Sequence, residues 1–223
     1  MKIDTILFDL DGTLINTNEL IIASFTHTLE NHYPGRFTRE DILPFMGQPL
    51  ADSFKTVDEK QVEALVKTYK DHNLAHHEEY VHAFKGVAET VKTLHEKGFK
   101  LGIVTTKMRD SVELGLEITG LASYFTTIVT LDDVENAKPH PEPVLRALDK
   151  LQSDIGAAVM VGDSKYDILA GKNAGTLTAG VAWTIKGKSY LADFKPDFML
   201  EEMPDLLTVL GVTCNEEDRA LSC

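Results

Sequence analysis

The chain has 223 residues, of which 43% are hydrophobic and 26% are charged, and this composition is typical of a folded protein with a buried core. Asp and Glu outnumber Lys and Arg by 35 to 22, which gives a net charge of −13 and argues against partners such as nucleic acid or anionic membranes. The two cysteines, Cys214 and Cys223, lie close to the C-terminus and cannot crosslink the core.

The sequence carries no signal for a membrane or for export. No apolar run approaches the ~18 residues of a membrane span, and the early acidic residue Asp4 is not typical of a signal peptide. We therefore expect a cytoplasmic protein that binds neither membranes nor nucleic acid.

The first predicted element is a buried strand at Thr5–Phe8, and a long helical segment follows it. Between about residues 16 and 82 no convincing strand occurs, whereas apolar residues recur at helical spacing in residues 20–29 and 62–69. We expect residues 16–82 to form a small all-helical cap domain, which is inserted after the first strand and rests on the core through two flexible connections.

Strands and helices alternate from residue 83 onward. Short aliphatic runs predict buried strands at residues 101–104, 127–129 and 157–161, with a weaker candidate at residues 178–183. Helical spacing predicts four helices between them, three of which end at Gly98, Gly120 and Gly175. This alternation predicts an α/β fold, a doubly wound parallel sheet with a Rossmann-like core formed by residues 1–15 and 83–210. The polar residues 211–223 are expected to form a flexible tail.

Polar side chains follow the first four predicted strands at their carboxyl ends, where open α/β sheets bind their ligands. The first strand leads into residues 9–14 (DLDGTL), the second into residues 105–107 (TTK), the third reaches Lys138, and the fourth is followed by Asp163 and Asp167. Each group alone has an ordinary structural explanation, such as a turn or a helix cap. Their recurrence at four strand ends favours one shared site.

The same residues, in the same order, resemble the four motifs of the haloacid dehalogenase-like (HAD) superfamily. Residues 9–14 resemble the first motif, Thr105 the second, Lys138 the third, and Asp163 with Asp167 the fourth. The helical insertion is similar to the small cap of that superfamily. Its dehalogenases lack a carboxylate at the position of Asp11, because a halide leaving group needs no proton. The resemblance therefore implies a phosphohydrolase.

Two carboxylates close together indicate a metal site. Asp9 and Asp11 are two residues apart in an extended segment, so their side chains point to the same side and would repel a phosphoryl group unless a cation intervened. Mg²⁺ prefers oxygen ligands and fits this site. Its expected ligands are Asp9, the backbone carbonyl of Asp11, and Asp163, with Asp167 either a direct ligand or one layer further out.

The catalytic roles follow from the same arrangement. Asp9 is the expected nucleophile and forms an aspartyl-phosphate, while Asp11 protonates the leaving oxygen and then activates water. The Thr105 hydroxyl and the Thr106 amide are expected to hold phosphoryl oxygens, and Lys138 is expected to neutralise charge on Asp9 and on the phosphoryl group.

The resemblance of further segments to known proteins limits the range of possible substrates. Residues 45–50 (FMGQPL) resemble the substrate-facing cap loop of the phosphoglycolate phosphatase branch, and residues 38–44 and 104–109 resemble the PpaX-type inorganic pyrophosphatases within that branch. The resemblance implies inorganic pyrophosphate as the substrate. The expected substrate contacts are Gln48, Thr106, Lys107, Gly12 and Thr13. Lys107 and Arg109 either meet the second phosphate or are ordinary surface cations.

Three alternatives stay open. The substrate could be phosphoglycolate or another small phosphomonoester, or the chain could be a non-catalytic phosphate sensor, although the complete motifs argue against a sensor. His72 and His76 are four residues apart in a helical pattern and could hold zinc, but no third ligand follows at a recognised spacing. We expect a monomer or weak dimer whose partner is a small phosphorylated substrate.

Overall fold

Buried aliphatic segments form a six-stranded parallel sheet in the computed structural model, which describes residues 2–212. Two further strands pair with one another outside this sheet. In chain order the strands of the described residues are β1 (Thr5–Phe8), β2 (Ile15–Asn16), β3 (His82–Ala83), β4 (Lys100–Val104), β5 (Thr127–Val129), β6 (Ala158–Gly162), β7 (Leu177–Val181) and β8 (Phe198–Leu200). The sheet order β5-β4-β1-β6-β7-β8 puts β1 between β4 and β6.

Helices connect these strands and cover both faces of the sheet. In chain order the α-helices of the described residues are α1 (Asn18–His32), α2 (Arg39–Ile42), α3 (Leu50–Asp58), α4 (Val62–Ala75), α5 (His77–Tyr80), α6 (Val87–Glu96), α7 (Arg109–Ile118), α8 (Glu142–Leu151), α9 (Lys165–Ala174), α10 (Lys188–Ala192) and α11 (Asp205–Val209). The predicted helix ends at Gly98, Gly120 and Gly175 are confirmed, and all three glycines have the positive φ that ends a helix without steric cost.

Alternate residues of β1 explain why the sheet is buried on both sides. Ile6 and Phe8 contribute to one hydrophobic cluster, which also contains buried residues of α6, α7 and α11. Leu7 points the other way, into a cluster with α8 and α9. A strand buried on both faces needs apolar residues, or polar ones with hydrogen-bond partners, at every position. Ile6, Leu7 and Phe8 are apolar, and the buried hydroxyl of Thr5 bonds to Asp4 and Ser153. The predicted doubly wound α/β fold is confirmed.

Helices α1 to α5 lie between β2 and β3 in the chain, and α1 to α4 share a hydrophobic cluster of their own, whereas Tyr80 of α5 packs against a cluster of the sheet. The ring of Phe25 lies 5.2 Å from that of Phe54 and 4.9 Å from that of Tyr69, measured between centroids. This cluster shares no buried residue with the two clusters of the sheet. We propose on this basis that the five helices form a cap, and its bounds at residues 16 and 82 stay a prediction.

Some short elements differ from the sequence-based expectation. No strand was expected near the ends of the cap, yet Ile15 pairs with Ala83 and Asn16 with His82 in a short antiparallel ribbon. Strand β8 was not predicted, β6 lies one residue later than expected, and β7 ends before Trp183. Elements of two or three residues are too short to show a hydrophobic period, so only tertiary pairing reveals them.

Among residues 2–212, no helix combines the length and the apolar character needed to cross a bilayer. The predicted flexible tail lies, apart from Gly211 and Val212, outside the described residues, as do Cys214 and Cys223.

The end of β6 packs so closely against α9 that only glycine fits there. A Cβ atom at Gly162 would lie 2.2 Å from the Cβ of Asp167. Gly162→Ala should therefore lower the free energy of unfolding by about 1–3 kcal/mol, measured by urea denaturation. Gly35→Ala is the control, because a Cβ there meets no atom within 4 Å and only the positive φ of 68° is unfavourable. An equal or smaller loss for Gly162→Ala than for Gly35→Ala would contradict the steric explanation.

Candidate active site

The predicted site residues meet at the carboxyl edge of the sheet, where the chain leaves its central strands. Asp9 follows β1, Thr105 follows β4, and Asp163 follows β6. Because β1 pairs with both β4 and β6, these three ends are neighbours. A cavity of about 380 Å³ lies over this edge, and its walls include residues of both the core and the helices α1, α3 and α4.

Lys138 links two aspartates and a backbone carbonyl at the base of the site. Its Nζ donates hydrogen bonds to Asp9 Oδ1 at 2.6 Å, to Asp167 Oδ1 at 2.5 Å and to the backbone carbonyl of Val104 at 2.8 Å. The side chain is almost fully buried, which taken alone would lower the pKa of its ammonium group. The negative charges of Asp167 and Asp9 outweigh burial and raise the pKa of Lys138 above its ordinary value. The lysine is therefore a permanent cation in this site.

Three carboxylates crowd together around this cation. Oxygen atoms of Asp9, Asp163 and Asp167 lie within 4.8 Å of one another, and this is the one such group of potential metal ligands among the described residues. Burial raises the pKa of Asp9 to about 7, with a further contribution from Asp167, although Lys138 opposes the rise. Burial, followed by the charges of Asp167 and Asp9, also raises the pKa of Asp163 well above its ordinary value. Asp9 and Asp167 are buried and Asp163 is half-buried. The one lysine that contacts this group within residues 2–212 does not compensate three carboxylates, so a cation is favoured here.

Two glycines allow this crowding. Gly12 has a φ of +81°, and a Cβ there would lie 2.6 Å from Asp163 Oδ2. Gly162 allows the equally close approach of Asp167 described above. The carboxylates of Asp163 and Asp167 therefore lie against the backbone at two positions, and any residue larger than glycine at either position would displace a carboxylate.

Asp167 is held in place by its own helix start. Its Oδ2 accepts hydrogen bonds from the backbone N–H of Ser164 at 3.0 Å and from the Ser164 hydroxyl at 2.6 Å. Its Oδ1 accepts the bond from Lys138. Both carboxylate oxygens thus have protein partners before any ligand binds. Ser164 therefore caps this helix and also fixes a site carboxylate.

Asp11 faces a different set of partners. Its Oδ1 accepts hydrogen bonds from the Thr17 hydroxyl at 2.7 Å and from Lys107 Nζ at 2.9 Å. Its carboxylate is not part of the three-carboxylate group, which leaves the backbone carbonyl as the atom predicted to bind a metal. Thr17 was missed by the sequence analysis, because nothing in its local pattern distinguishes it from an ordinary residue before a helix.

The loop after β4 forms one wall of the cavity. Thr105, Thr106 and Lys107 all line it. The Thr105 hydroxyl accepts a hydrogen bond from the backbone N–H of Lys107 at 3.2 Å, and the Thr105 N–H donates to the Val129 carbonyl at 3.0 Å. These bonds fix the loop, so the predicted phosphoryl contacts are positioned beside Asp9.

Residues 45–48 bring the cap to the same cavity. Phe45, Met46, Gly47 and Gln48 line it, as predicted for the substrate-facing loop. Gln48 Oε1 accepts a hydrogen bond from the Tyr166 hydroxyl at 3.3 Å. The loop therefore contacts the core next to the acidic group instead of standing apart from it.

Some predicted residues are not brought to the cavity. Thr13 is fully buried, and neither Thr13 nor Gly12 lines the cavity, so their expected role as substrate contacts has no support from this geometry. The guanidinium group of Arg109 binds Asp133 at 2.6 Å and lies outside the cavity lining. Gly12 contributes through backbone shape, and Arg109 stabilises the turn after β5.

The histidines considered for zinc have other contacts. The rings of His72 and His76 stack with centroids 4.3 Å apart, and His76 Nδ1 lies 2.9 Å from the carbonyl of His72. His72 Nδ1 pairs with the Ser24 hydroxyl at 3.1 Å. The stack lies at the C-terminal end of α4, and the bond to Ser24 joins α4 to α1, so neither contact supports a zinc site.

Comparison with known proteins identifies the family. The sequence pattern of the haloacid dehalogenase-like hydrolases matches residues 6–181. The chain belongs to this family. A pyrophosphatase PpaX from Anoxybacillus flavithermus is 60% identical over 213 residues, which cover 96% of this chain and 99% of that protein. A pyrophosphatase PpaX from Halalkalibacterium halodurans is 55% identical over 212 residues, which cover 95% and 99%.

Solved structures agree with the family assignment. A haloacid dehalogenase-like hydrolase from Bacteroides fragilis is similar with a TM-score of 0.86 at 26% identity, covering 92% of this chain and all of that one. A structure described as a phosphoglycolate phosphatase from Lactobacillus plantarum shares the fold, with a TM-score of 0.83 at 20% identity over 94% of this chain and 100% of that one. The predictions of this family and of a hydrolytic enzyme are confirmed.

Because the site has excess negative charge, Asp163→Asn should raise the thermal stability of the metal-free protein but remove the stabilisation that Mg²⁺ provides. Asp163→Asn removes a carboxylate whose ionised form is disfavoured by burial and by its neighbours. In EDTA at pH 7.5 the variant should therefore melt at a higher temperature than the parent, with about 2–4 °C for each kcal/mol gained. Added Mg²⁺ should stabilise the parent but not the variant.

The stability difference between the metal-free parent and Asp163→Asn should depend on pH. Because the pKa of Asp163 is raised in the folded form, the folded chain retains a proton that the unfolded chain releases, so the metal-free parent loses stability as pH rises above about 4. The advantage of Asp163→Asn should grow over the same range and vanish below it. Asp71→Asn, an exposed partner of Lys67, is the control and should change neither melting curve. A lower melting temperature for metal-free Asp163→Asn would contradict the assignment of excess charge.

Proposed function

We propose that the chain hydrolyses inorganic pyrophosphate to phosphate, with Mg²⁺, through an aspartyl-phosphate formed on Asp9. The observation that carries this proposal is the position of Asp9, which lies beside Lys138 in a group of three carboxylates at the floor of a cavity that Lys107 also lines. The relatives named pyrophosphatase PpaX, identical at 60% and 55% over nearly the whole chain, support pyrophosphate as the substrate.

The donor set fits Mg²⁺, which is a hard cation and takes oxygen ligands. Asp9, Asp163 and the backbone carbonyl of Asp11 would hold it. Asp167 would act mainly by holding Lys138, because both of its oxygens already accept hydrogen bonds from Lys138 and Ser164. The bound ion would supply the positive charge that lets an anionic phosphate approach these carboxylates.

Asp9 is suited to act as the nucleophile. Lys138 binds Oδ1 and so fixes the carboxylate, while Oδ2 has no hydrogen-bond partner within residues 2–212. Attack on phosphorus forms an Asp9–phosphorus bond, and the bond from phosphorus to the bridging oxygen breaks. The leaving phosphate takes a proton from Asp11. Water then attacks the same phosphorus atom and gives a proton to Asp11. The bond between Asp9 and phosphorus breaks, which frees Asp9 and releases the second phosphate.

The loop after β4 would hold the transferred group during this exchange. The Thr105 hydroxyl and the Thr106 N–H lie on the cavity wall, where they can donate to phosphoryl oxygens. Lys138 would remain bound to Asp9 and neutralise the charge that develops there.

Lys107 is the best-placed cation for the second phosphate. Its side chain is only 14% exposed, lines the cavity, and now binds Asp11 Oδ1 at 2.9 Å. A phosphate arriving next to Asp11 offers this ammonium a stronger anionic partner. Transfer of Lys107 to that phosphate would release the Asp11 carboxyl group, which can then carry the proton that the leaving oxygen needs.

A small phosphomonoester, such as phosphoglycolate, is the second candidate. The observation in its favour is the apolar part of the cavity wall, which includes Ile21, Phe25, Leu50 and Tyr69 and which a second phosphate does not need. A non-catalytic phosphate sensor is less favoured, because all four motifs converge on one site. We also propose a monomer or weak dimer located in the cytoplasm, and the acidic composition supports the proposal that it binds no nucleic acid.

A substrate panel tests this proposal. Phosphate release should be measured with Mg²⁺ on pyrophosphate, phosphoglycolate and p-nitrophenyl phosphate. We expect kcat/KM to be at least about tenfold higher for pyrophosphate, which corresponds to about 1.4 kcal/mol of preferential transition-state binding. EDTA should stop the reaction reversibly.

The control for this panel is Asp9→Asn, which keeps the size of the side chain and removes the nucleophile. It should lower turnover by at least about 10³-fold on every substrate. Preference for phosphoglycolate would overturn the choice of substrate, and full activity of Asp9→Asn would overturn the mechanism.

Lys107→Met tests the second-phosphate contact. The variant keeps the length of the side chain but loses its charge, so kcat/KM for pyrophosphate should fall by about 10–100-fold, the usual effect of losing a hydrogen bond to a charged group. Activity on p-nitrophenyl phosphate, which has no second phosphate, should change far less. Lys92→Met, on an exposed part of α6, is the matched control. Equal losses on both substrates would show that Lys107 acts on the transferred group instead.

A further inference from the structure

The segment after β7 contacts the cap. Lys186 Nζ donates a hydrogen bond to the backbone carbonyl of Met46 at 2.7 Å. The preceding residue, Ile185, packs against the hydrophobic cluster of the cap helices. None of the four motifs includes this segment, and 140 residues separate the two bonded partners.

The core binds two more residues of the same cap loop. Gly47 has a φ of +90°, and a Cβ there would lie 3.1 Å from the Cβ of Ser164. Gln48 accepts the hydrogen bond from Tyr166. Three consecutive cap residues, 46 to 48, are therefore seated on three core residues. Ser164, Tyr166 and Lys186 are called the latch from here on.

The latch lies next to the acidic group. Ser164 directly follows Asp163 and binds Asp167. Lys186 is half-buried, and burial lowers the pKa of its ammonium group below the ordinary value, while the negative charge of Asp163 opposes this shift. The ammonium that binds the cap loop is thus also a cation close to the floor of the cavity.

We propose that Lys186 is a positioning residue, which holds residues 46–48 over the cavity and keeps the cap closed. The carbonyl of Met46 is a neutral acceptor, and its bond to an ammonium group is stronger than a bond between two neutral groups. Ile185 adds apolar contact beside it. Because Gln48 belongs to the same loop, its position over the substrate depends on this bond. The proposal concerns closure of the cap over the cavity, and it does not depend on which substrate the chain hydrolyses.

Loss of the latch has a distinctive kinetic effect. If the closed cap is the state that binds substrate, apparent affinity falls in proportion to the closed fraction, whereas bound substrate still restores closure before the chemical step. KM should therefore rise, and kcat should change little. A residue that acts on the reacting atoms would instead lower kcat.

The test compares Lys186→Met with Lys188→Met. Lys188 lies two residues further along the chain and forms an exposed ion pair with Glu201, away from the cap, which makes it a matched control. In Lys186→Met, amide hydrogen exchange of residues 43–50 should become about tenfold faster, and KM for pyrophosphate and for p-nitrophenyl phosphate should rise about tenfold with kcat within about threefold. Lys188→Met should change none of these values.

Two further variants keep the proposal falsifiable if the methionine disturbs the fold. Lys186→Arg retains a charged donor and should restore most of the parent exchange rate. Tyr166→Phe removes one hydroxyl from a half-buried ring and should shift exchange and KM in the same direction, by a smaller factor. The proposal is overturned if exchange of residues 43–50 stays unchanged in Lys186→Met, or if kcat falls by more than about threefold while KM does not rise. Hydrogen exchange needs no substrate, so this result stands even if pyrophosphate is not hydrolysed.

Discussion

The ammonium group of Lys138, bound between Asp9 and Asp167, is the interaction on which the site depends. Buried carboxylates repel one another, and each loses the hydration that stabilises its charge. Lys138 contacts two of them at 2.6 and 2.5 Å and is itself held by the Val104 carbonyl, so the end of β4 and the helix after β6 are joined through one side chain. Within residues 2–212 the third carboxylate, Asp163, forms no such ion pair, and the charge of Lys186 acts on it only at a distance. This deficit is the physical reason that the group favours a metal ion.

Sheet topology explains how such distant residues meet. Strand β1 is central and pairs with β4 on one side and β6 on the other, so Asp9 lies between Thr105 and Asp163, although Thr105 is 96 positions and Asp163 is 154 positions further along the chain. Glycines then set the final distances, because Gly12 and Gly162 allow Asp163 and Asp167 to approach the backbone. The sheet thus determines where the site lies, and the two glycines allow its carboxylates to lie close together.

The strand ends could be predicted because their signals are local. A buried run followed by a polar residue identifies Asp9, Thr105 and Asp163, and a glycine after a helical run identifies a helix end. Thr13 shows the limit of this reasoning: Asp11, two residues earlier, lines the cavity, but after the turn at Gly12 the side chain of Thr13 is buried. The contact of Lys186 with Met46 has no local signal at all, since it depends on how the cap rests on the sheet. The same reason hid Thr17 and the ribbon formed by β2 and β3.

The placement of lysines reduces the conflict between an acidic chain and an anionic substrate. With a net charge of −13, the surface as a whole repels phosphate. Lys107, Lys138 and Lys186 all lie around the carboxyl edge of the sheet, and none is fully exposed. At short range their charges offset part of the negative charge of the site carboxylates, and a bound cation would supply the rest, whereas water and salt screen the distant surface charges. Each lysine contacts a different element, namely Asp11, Asp9 with Asp167, and the cap loop, so the bonds that hold the site together also bring positive charge to it.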